Sequence, residues 1–317
     1  MHSDKPTLST RAWLLETLGI ALCMVAAIVL VNMYIDIYGI FRNAKGRHLL
    51  VYGDQRVAKY LLSEKFVPEN FDALLIGTSV SANWKTSDIN DFRVYNESVD
   101  GGVIAEEKMI ADNALRSSHI RLVLLLVQPY LTASDEFKTV QLTPRENIAA
   151  LGSKSLLDAY RSKIAIKLHR EKQEFDDSGA QDFGNIPMKL NAHLQKLMAP
   201  GTEFSVDRAA LTNYQAFVDE LHSSNIPIIY IVPPVSLSIY TAKRDAFANY
   251  SRLILASRRK QDRVVDFTTD QFSAFRDNPA NFRDGVHLTN EGAQQVVSAI
   301  NNQLNMWIRD GQISAQR

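Results

Sequence analysis

The apolar positions of this chain fall into two regimes. Near the N-terminus, Leu18 to Val31 reads LGIALCMVAAIVLV without a charge, and Asn32-Met33-Tyr34-Ile35 extends it. Roughly 18 residues is near the lower limit for a helix crossing a hydrocarbon core of ~30 Å. Tyr34 and Tyr38 stand where amphipathic rings favour a membrane interface. The stretch is long for the apolar part of a cleaved signal, and no small-x-small cleavage site follows it. The pattern predicts a tail over 1–13 and a transmembrane anchor over 14–38.

After residue 38 the pattern becomes one of alternating strands and helices. Residues 39–70 read as a polar connector, helical around Val57 to Lys65. Phe71 to Ile76 is a short apolar run suited to a buried strand. Ser81 to Asn90 reads as helix or loop, and Phe92 to Asn96 as a second strand. Ile104, Met109, Ile110 and Leu115 give Ile104 to Leu115 a helical spacing. His119 to Val127 (HIRLVLLLV) has the near-continuous apolar character of a central parallel strand covered on both faces.

The rhythm breaks over 130–205, which holds a helical piece, Lys154 to Leu168, and a charged stretch, His169 to Asp177. This reads as an insertion, either a lid or cap or a solvated connector. Alternation resumes with an amphipathic helix over Asp207 to Ser223, Asp207 being its N-cap. Ile226 to Val232 is a strand stopped by Pro233-Pro234, Ala242 to Ser257 is helical, and Arg263 to Phe267 is a short strand. Thr289 to Met306 forms the last helix, with Thr289 or Asn290 as cap and Glu291 in the first turn. This order predicts an α/β fold over 71–308, a doubly wound, flavodoxin-like parallel sheet flanked by helices, followed by a tail over 309–317. Ligands gather at the carboxyl ends of the strands in such sheets.

Composition narrows the function. Lys plus Arg and Asp plus Glu both number 35, so the basic excess typical of nucleic-acid binding is missing. The single cysteine, Cys23, rules out an intrachain disulfide. No HExxH sequence, no Cys/His cluster with metal spacing and no glycine-rich phosphate loop occurs, so neither a metal nor a cofactor is expected.

Two short stretches carry candidate chemistry. Leu74-Leu75-Ile76-Gly77-Thr78-Ser79-Val80-Ser81 ends an apolar run with a serine. Ser79 is expected at the carboxyl end of the first strand, where it is either an ordinary cap or a nucleophile; Ser81 is the competing hydroxyl. Far downstream, Asp284-Gly285-Val286-His287 sets a carboxylate three residues before a histidine, just ahead of the last helix. Asp284 can curl back onto the imidazole, fix its tautomer and stabilise its charged form. Its bland alternative is a surface turn with a capping aspartate. His169, His193 and His222 fall in helical or charged stretches where solvation is expected to suffice. His2, His48 and His119 have no comparable acidic neighbour in a loop.

With these blocks, the chain resembles the SGNH (GDSL-like) hydrolase superfamily, especially membrane-anchored bacterial members linked to exopolysaccharide or cell-envelope O-acylation. Gly77-Thr78-Ser79 corresponds to the first block and Asp284-Gly285-Val286-His287, followed by Leu-Thr-Asn-Glu-Gly, to the last. Asn96-Glu97-Ser98-Val99-Asp100-Gly101-Gly102 is similar to the second block, with Gly101 the better match for its glycine. The resemblance implies a Ser79–His287–Asp284 triad and an oxyanion hole of the Ser79 and Gly101 backbone N–H groups. The third block departs: Gln128-Pro129-Tyr130 stands where the family has an asparagine donor, so Gln128 is the substitute. The implied activity is that of a serine esterase or O-acyltransferase, acetyl being the acyl group. The implied partners are a polysaccharide or other acylated glycan, the membrane, and a membrane-bound acyltransferase. A non-catalytic scaffold binding the same partners is the alternative. The implied location is the inner (cytoplasmic) membrane, single-pass, with the domain on the periplasmic, extracytoplasmic side. Charge bias leans the other way, since Lys5 and Arg11 precede the anchor and Arg42, Lys45 and Arg47 follow it.

Overall fold

The computed structural model describes residues 10–117, 119–133, 142–186 and 204–314. Much of the expected tail at 1–13 (with His2 and Lys5), parts of the 130–205 insertion (with His193) and the last three residues lie outside the described residues.

Helix α1 (Thr10–Ile35) is long and apolar enough to cross a membrane, and none of its most apolar window is buried by the protein. Its buried residue is Asn32, whose side chain donates to Leu151 O at 2.6 Å and accepts from Tyr160 Oη at 3.1 Å. The helix ends at Asp36, which has a φ of 48°. The buried Asp36 carboxylate accepts from the backbone N–H groups of Ile40, Phe41 and Arg42 and pairs with Arg47 at 2.8 Å. These bonds satisfy the turn by which the chain leaves the helix.

Five parallel strands follow: β1 (Ala73–Ile76), β2 (Val94–Asn96), β3 (Leu122–Leu126), β4 (Ile228–Val232) and β5 (Arg263–Asp266). They lie in the order β2-β1-β3-β4-β5, the doubly wound arrangement expected from the alternation. The apolar run Leu122–Leu126 is the central strand and is buried along its whole length. Alternate residues serve opposite faces. Leu74, Ile76, Val123, Leu125, Ile228 and Tyr230 meet helices α2 (Gln55–Asn70), α3 (Ile104–Leu115) and α6 (Arg208–Ser223). Ala73, Leu75, Leu122, Leu124, Ile229 and Ile231 meet α10 (Asn290–Arg309) through Val296, Val297, Ile300 and Leu304. Asp207 caps α6 through Ala210 N, and Thr289 caps α10 through Gly292 N.

Two stretches differ from the sequence reading. Residues 39–70 do more than connect: α2 buries Leu61, Leu62, Phe66 and Val67 in the core, together with the polar Lys59 and Ser63. The helix expected over Ala242 to Ser257 is α8 (Arg244–Leu255), and a short helix that was not expected, α7 (Leu237–Ala242), precedes it across a break at Lys243; a further short helix, α9 (Ser273–Asp277), follows β5. Lys243 has φ −127° and ψ 19°, outside helical geometry.

Within the insertion, α4 (Arg145–Ala149) and α5 (Lys154–Lys167) lie beside the exit of α1, joined to it through Asn32. The segment that follows returns to the sheet. Ser178 O accepts from Asn96 N at 2.8 Å, and Ala82 O accepts from Gln181 N at 2.7 Å. This brings residues 178–186 against the loop that follows β1.

Candidate active site

The loops after β1, β2, β3 and β5 meet at the carboxyl edge of the sheet. The chain after β1 stays in sheet geometry long enough for Thr78 to bridge Val99 beyond β2. It then turns, with Ser81 N donating to Thr78 O at 3.0 Å. Asn96, the last residue of β2, clamps this turn: its side-chain amide donates to Ser81 O, Ala82 O and Trp84 O. Asn83 ties the same turn to the last loop by donating to Leu288 O at 3.0 Å.

Ser79 stands at the crest of the turn with its Oγ 2.9 Å from His287 Nε2. The competing hydroxyl, Ser81, is fully buried and engaged with Ser98 Oγ at 2.8 Å. On the other side of the imidazole, His287 Nδ1 lies 2.7 Å from Asp284 Oδ2. A carboxylate can only accept, so Nδ1 carries the proton and Nε2 offers its lone pair to the serine hydroxyl. Asp284 Oδ1 also accepts from the backbone N–H groups of His287, at 2.8 Å, and Val286, at 3.1 Å. Burial alone would push the Asp284 carboxyl up; the hydrogen bond and charge of His287 and those two backbone bonds outweigh it and hold it below its ordinary value. Gly285, at φ +98°, makes the tight reversal between the two residues, and a Cβ there would stand 2.8 Å from Ile239 Cδ1.

The expected oxyanion donors are the backbone N–H groups of Ser79 and Gly101 and the side-chain amide of Gln128. Neither the Ser79 nor the Gly101 backbone N–H has an acceptor among the described residues. Gly101 holds its amide in this position with a φ of +62°, a left-handed geometry open to glycine. The adjacent Gly102 is buried and spends its N–H on Val99 O. Gln128 is buried just beyond β3, and its Oε1 accepts from the Thr78 hydroxyl. That bond turns the amide NH₂ away from Thr78, and among the described residues it has no acceptor. The Tyr250 hydroxyl holds Gln128 from behind by donating to its backbone O at 2.7 Å. Burial, and then the charge of Asp284, push the neighbouring Tyr130 hydroxyl up to about 12.

Several residues of the site escaped the sequence reading. Phe183 packs edge-on against His287, the ring centroids 6.3 Å apart, and Arg283 stacks over Phe183 at 5.1 Å. Asn290 accepts from Phe183 N and donates to Asp182, whose carboxyl is pulled down to about 2 by hydrogen bonds from Lys172 and Asn290. Beneath the Gly101 loop, the buried Lys59 ammonium donates to Asn96 O, Ser98 O and Gly179 O at 2.7, 2.7 and 3.0 Å. No sequence signal marks these residues, because their partners are remote in the chain.

The other histidines depart from expectation in two places. His222 is buried, not solvated, with Nε2 2.8 Å from Asp262 Oδ2. It packs at the end of α6, and no serine hydroxyl is bonded to it among the described residues. His48 has an acidic neighbour after all, Asp177 at 3.4 Å, in an exposed contact.

No protein-family profile matches the chain, and no curated protein matches it. Solved structures do. A Streptococcus pneumonia protein provisionally named a platelet activating factor is similar at 13% identity and a TM-score of 0.45, covering 79% of this chain and 91% of its own. A protein of Bacteroides fragilis provisionally named an acylhydrolase is similar at 14% identity and a TM-score of 0.36, over 76% of this chain and 87% of its own. A lipase/acylhydrolase from Enterococcus faecalis is similar at 12% identity and a TM-score of 0.39, over 77% of this chain and 98% of its own.

Proposed function

We propose that this chain is a membrane-anchored serine esterase or O-acyltransferase, acting on acetyl esters of a cell-envelope or exopolysaccharide glycan. The observation that carries the reading is the unbroken row Asp284–His287–Ser79, with bonds of 2.7 and 2.9 Å, at the sheet edge where ligands gather. Ser79 Oγ attacks the acyl carbonyl while its proton passes to His287 Nε2, and Asp284 stabilises the imidazolium. The developing oxyanion takes hydrogen bonds from Ser79 N–H, Gly101 N–H and the Gln128 amide. His287 returns the proton to the departing alcohol, leaving an acyl-Ser79 ester. Water, or a sugar hydroxyl, then gives its proton to His287 and attacks that ester, and the proton returns to Ser79 Oγ. The glycan, the membrane-bound acyltransferase partner and the periplasmic side follow the family resemblance. The basic residues after α1 weigh little against that side, because a domain of this length is translocated largely regardless of flanking charge.

The test is labelling of the full-length protein in membranes by a fluorophosphonate, with Ser79→Ala as control. Labelling that disappears in Ser79→Ala, together with acetate release from an O-acetylated polysaccharide, is the expected result. A folded wild-type protein that takes no label overturns the reading and leaves the scaffold in its place.

A further inference from the structure

Helix α5 carries a stripe that the domain leaves uncovered. Leu157, Ile164 and Leu168 are 48%, 57% and 55% exposed. With Arg161 they recur at steps of four, three and four, so they stand one above another along one side of the helix. The opposite side is spent on the core, where Leu156 and Ala159 are buried. Lys154 and Lys167 flank the stripe at helical spacing, one on each side. Between Lys154 and Lys172 the chain has six basic residues against two acidic ones, although the protein as a whole is neutral. The preceding short helix α4 adds Ile148, 70% exposed.

The position of this hairpin indicates what covers it. Its connecting loop is fastened to the anchor helix through Leu151 O, and α5 is fastened through Tyr160 Oη, both to Asn32. A Cβ on Gly152 would lie 3.9 Å from Ile28 Cγ2. Ile28 and Asn32 lie in the last turns of the uncharged run of α1, which continues to Ile35. If α1 crosses a bilayer, this loop therefore stands beside the last turns of the span, near the level where the hydrocarbon stops.

We propose that the α4–α5 hairpin lies in the headgroup layer of the bilayer that α1 crosses. Leu157, Ile164 and Leu168 reach the outer acyl chains, and Lys154 and Lys167 meet the phosphates of anionic lipid, while Arg161 is paired with Asp158 at 3.0 Å. The arrangement is that of an interfacial amphipathic helix. It gives the domain a second point of attachment beside the anchor, which fixes the tilt of the sheet over the membrane. The inference rests on α1 as an anchor and is independent of the chemistry at Ser79.

The test uses full-length protein in nanodiscs of phosphatidylethanolamine and phosphatidylglycerol, with some lipids carrying a nitroxide near the headgroup. A polarity-sensitive fluorophore on the native Cys23 reports the anchor. The same fluorophore on Cys23→Ser/Ile164→Cys reports the stripe, and on Cys23→Ser/Ser298→Cys the opposite face of the domain. Blue-shifted emission and quenching at both Cys23 and Ile164→Cys, with a water-like signal at Ser298→Cys, is the expected result. Lys154→Gln and Lys167→Gln should each lower the docked-to-free ratio roughly fivefold, as a single lysine near an anionic surface contributes. Quenching at Cys23 with a water-like, unquenched label at Ile164→Cys overturns the proposal while leaving the anchor intact. A blue-shifted but unquenched label there also overturns it, in favour of a protein contact. No quenching at Cys23 overturns the anchor and the proposal with it.

Discussion

Replacing Asp284 by Asn isolates the electronic role of the carboxylate from its structural one. In the native site Oδ1 accepts from the backbone N–H groups of Val286 and His287, and Oδ2 accepts from His287 Nδ1. An asparagine whose carbonyl keeps the two backbone bonds presents its NH₂ to Nδ1. The imidazole can then accept at Nδ1 only by carrying its proton on Nε2, the nitrogen 2.9 Å from Ser79 Oγ. On the proposed mechanism, the base is thereby turned into a donor, and the imidazolium loses its counter-charge. By analogy with serine hydrolases generally, the loss is about ten-thousandfold in kcat, or ~5.5 kcal/mol of barrier. Stability at neutral pH should change by only ~1 kcal/mol, since the backbone bonds survive. Because the folded Asp284 carboxyl sits below its ordinary value, its contribution to stability is present above that ordinary value and lost as pH falls through the folded one. Asp284→Asn should lack this acid-side loss. The assay is the rate of fluorophosphonate labelling and of activated acetyl ester turnover, alongside thermal melting. Turnover by a folded Asp284→Asn within tenfold of wild type refutes the assigned tautomer and the base role of His287.

Gln128→Ala removes one of three proposed oxyanion donors and should lower kcat about a hundredfold or more with little change in KM; an unchanged kcat would mean that the two backbone amides suffice. Lys59→Met strands three buried carbonyls and should cost ~3 kcal/mol or more, read as a melting temperature lower by on the order of 10 °C; a shift of a degree or two would contradict the role given to this ammonium. Burial lifts the Glu97 carboxyl to about 7 against the Ser63 hydrogen bond and the Lys59 charge. The folded protein then keeps a proton that the unfolded chain has released, and stability falls as pH rises from the ordinary value of 4.5 towards 7. Glu97→Gln should flatten that slope in a melting series across the window, and an identical slope in the variant would assign it elsewhere.

The sheet was legible because its strands are short apolar runs with both faces buried, and Leu122–Leu126 shows this most clearly. The pair Asp284 and His287 was legible because its partners are three residues apart. Ser79 is joined to it through the rule that loops at the carboxyl edge converge and through the family resemblance of its block, since 208 positions separate Ser79 from His287. Residues 39–70 read as a polar connector although part of them is helical, and nothing nearby in the sequence shows that α2 buries Lys59 and Ser63. Their burial makes sense only with acceptors that lie far along the chain, and Lys59 reaches partners 37, 39 and 120 positions away. His222 was misread for the same reason, its aspartate being 40 positions distant. The orientation of the Gln128 amide depends on the Thr78 hydroxyl 50 positions earlier. The position of Phe183 depends on Asn290, 107 positions later.

The polar accounting of the loop from Asn96 to Gly102 explains why so much buried charge lies under it. Asn96 N donates to Ser178 O, Glu97 N to Leu75 O, Ser98 N to Asn96 Oδ1, and Gly102 N to Val99 O. Val99 N is shared between Gly77 O and Glu107 Oε1, and Asp100 N goes to Gln55 Oε1. The carbonyls of Asn96 and Ser98 take Lys59, and that of Asp100 takes Arg56 at 2.6 Å. Gln55, Arg56, Lys59 and Ser63 all come from α2, so one helix fixes the loop from below. Among these backbone N–H groups, that of Gly101 alone has no acceptor among the described residues, and it belongs to an exposed residue that water can serve. On the proposed mechanism, a donor flanked by backbone N–H groups that are already bonded need not reorganise when charge develops in front of it, which is the condition under which such a dipole lowers a barrier most. The desolvated lysine, lowered to about 8 by burial, and the Glu97 and Glu107 carboxyls raised by burial are the cost of that rigidity. Under the proposed function, the Gly101 amide is the donor that this support keeps fixed.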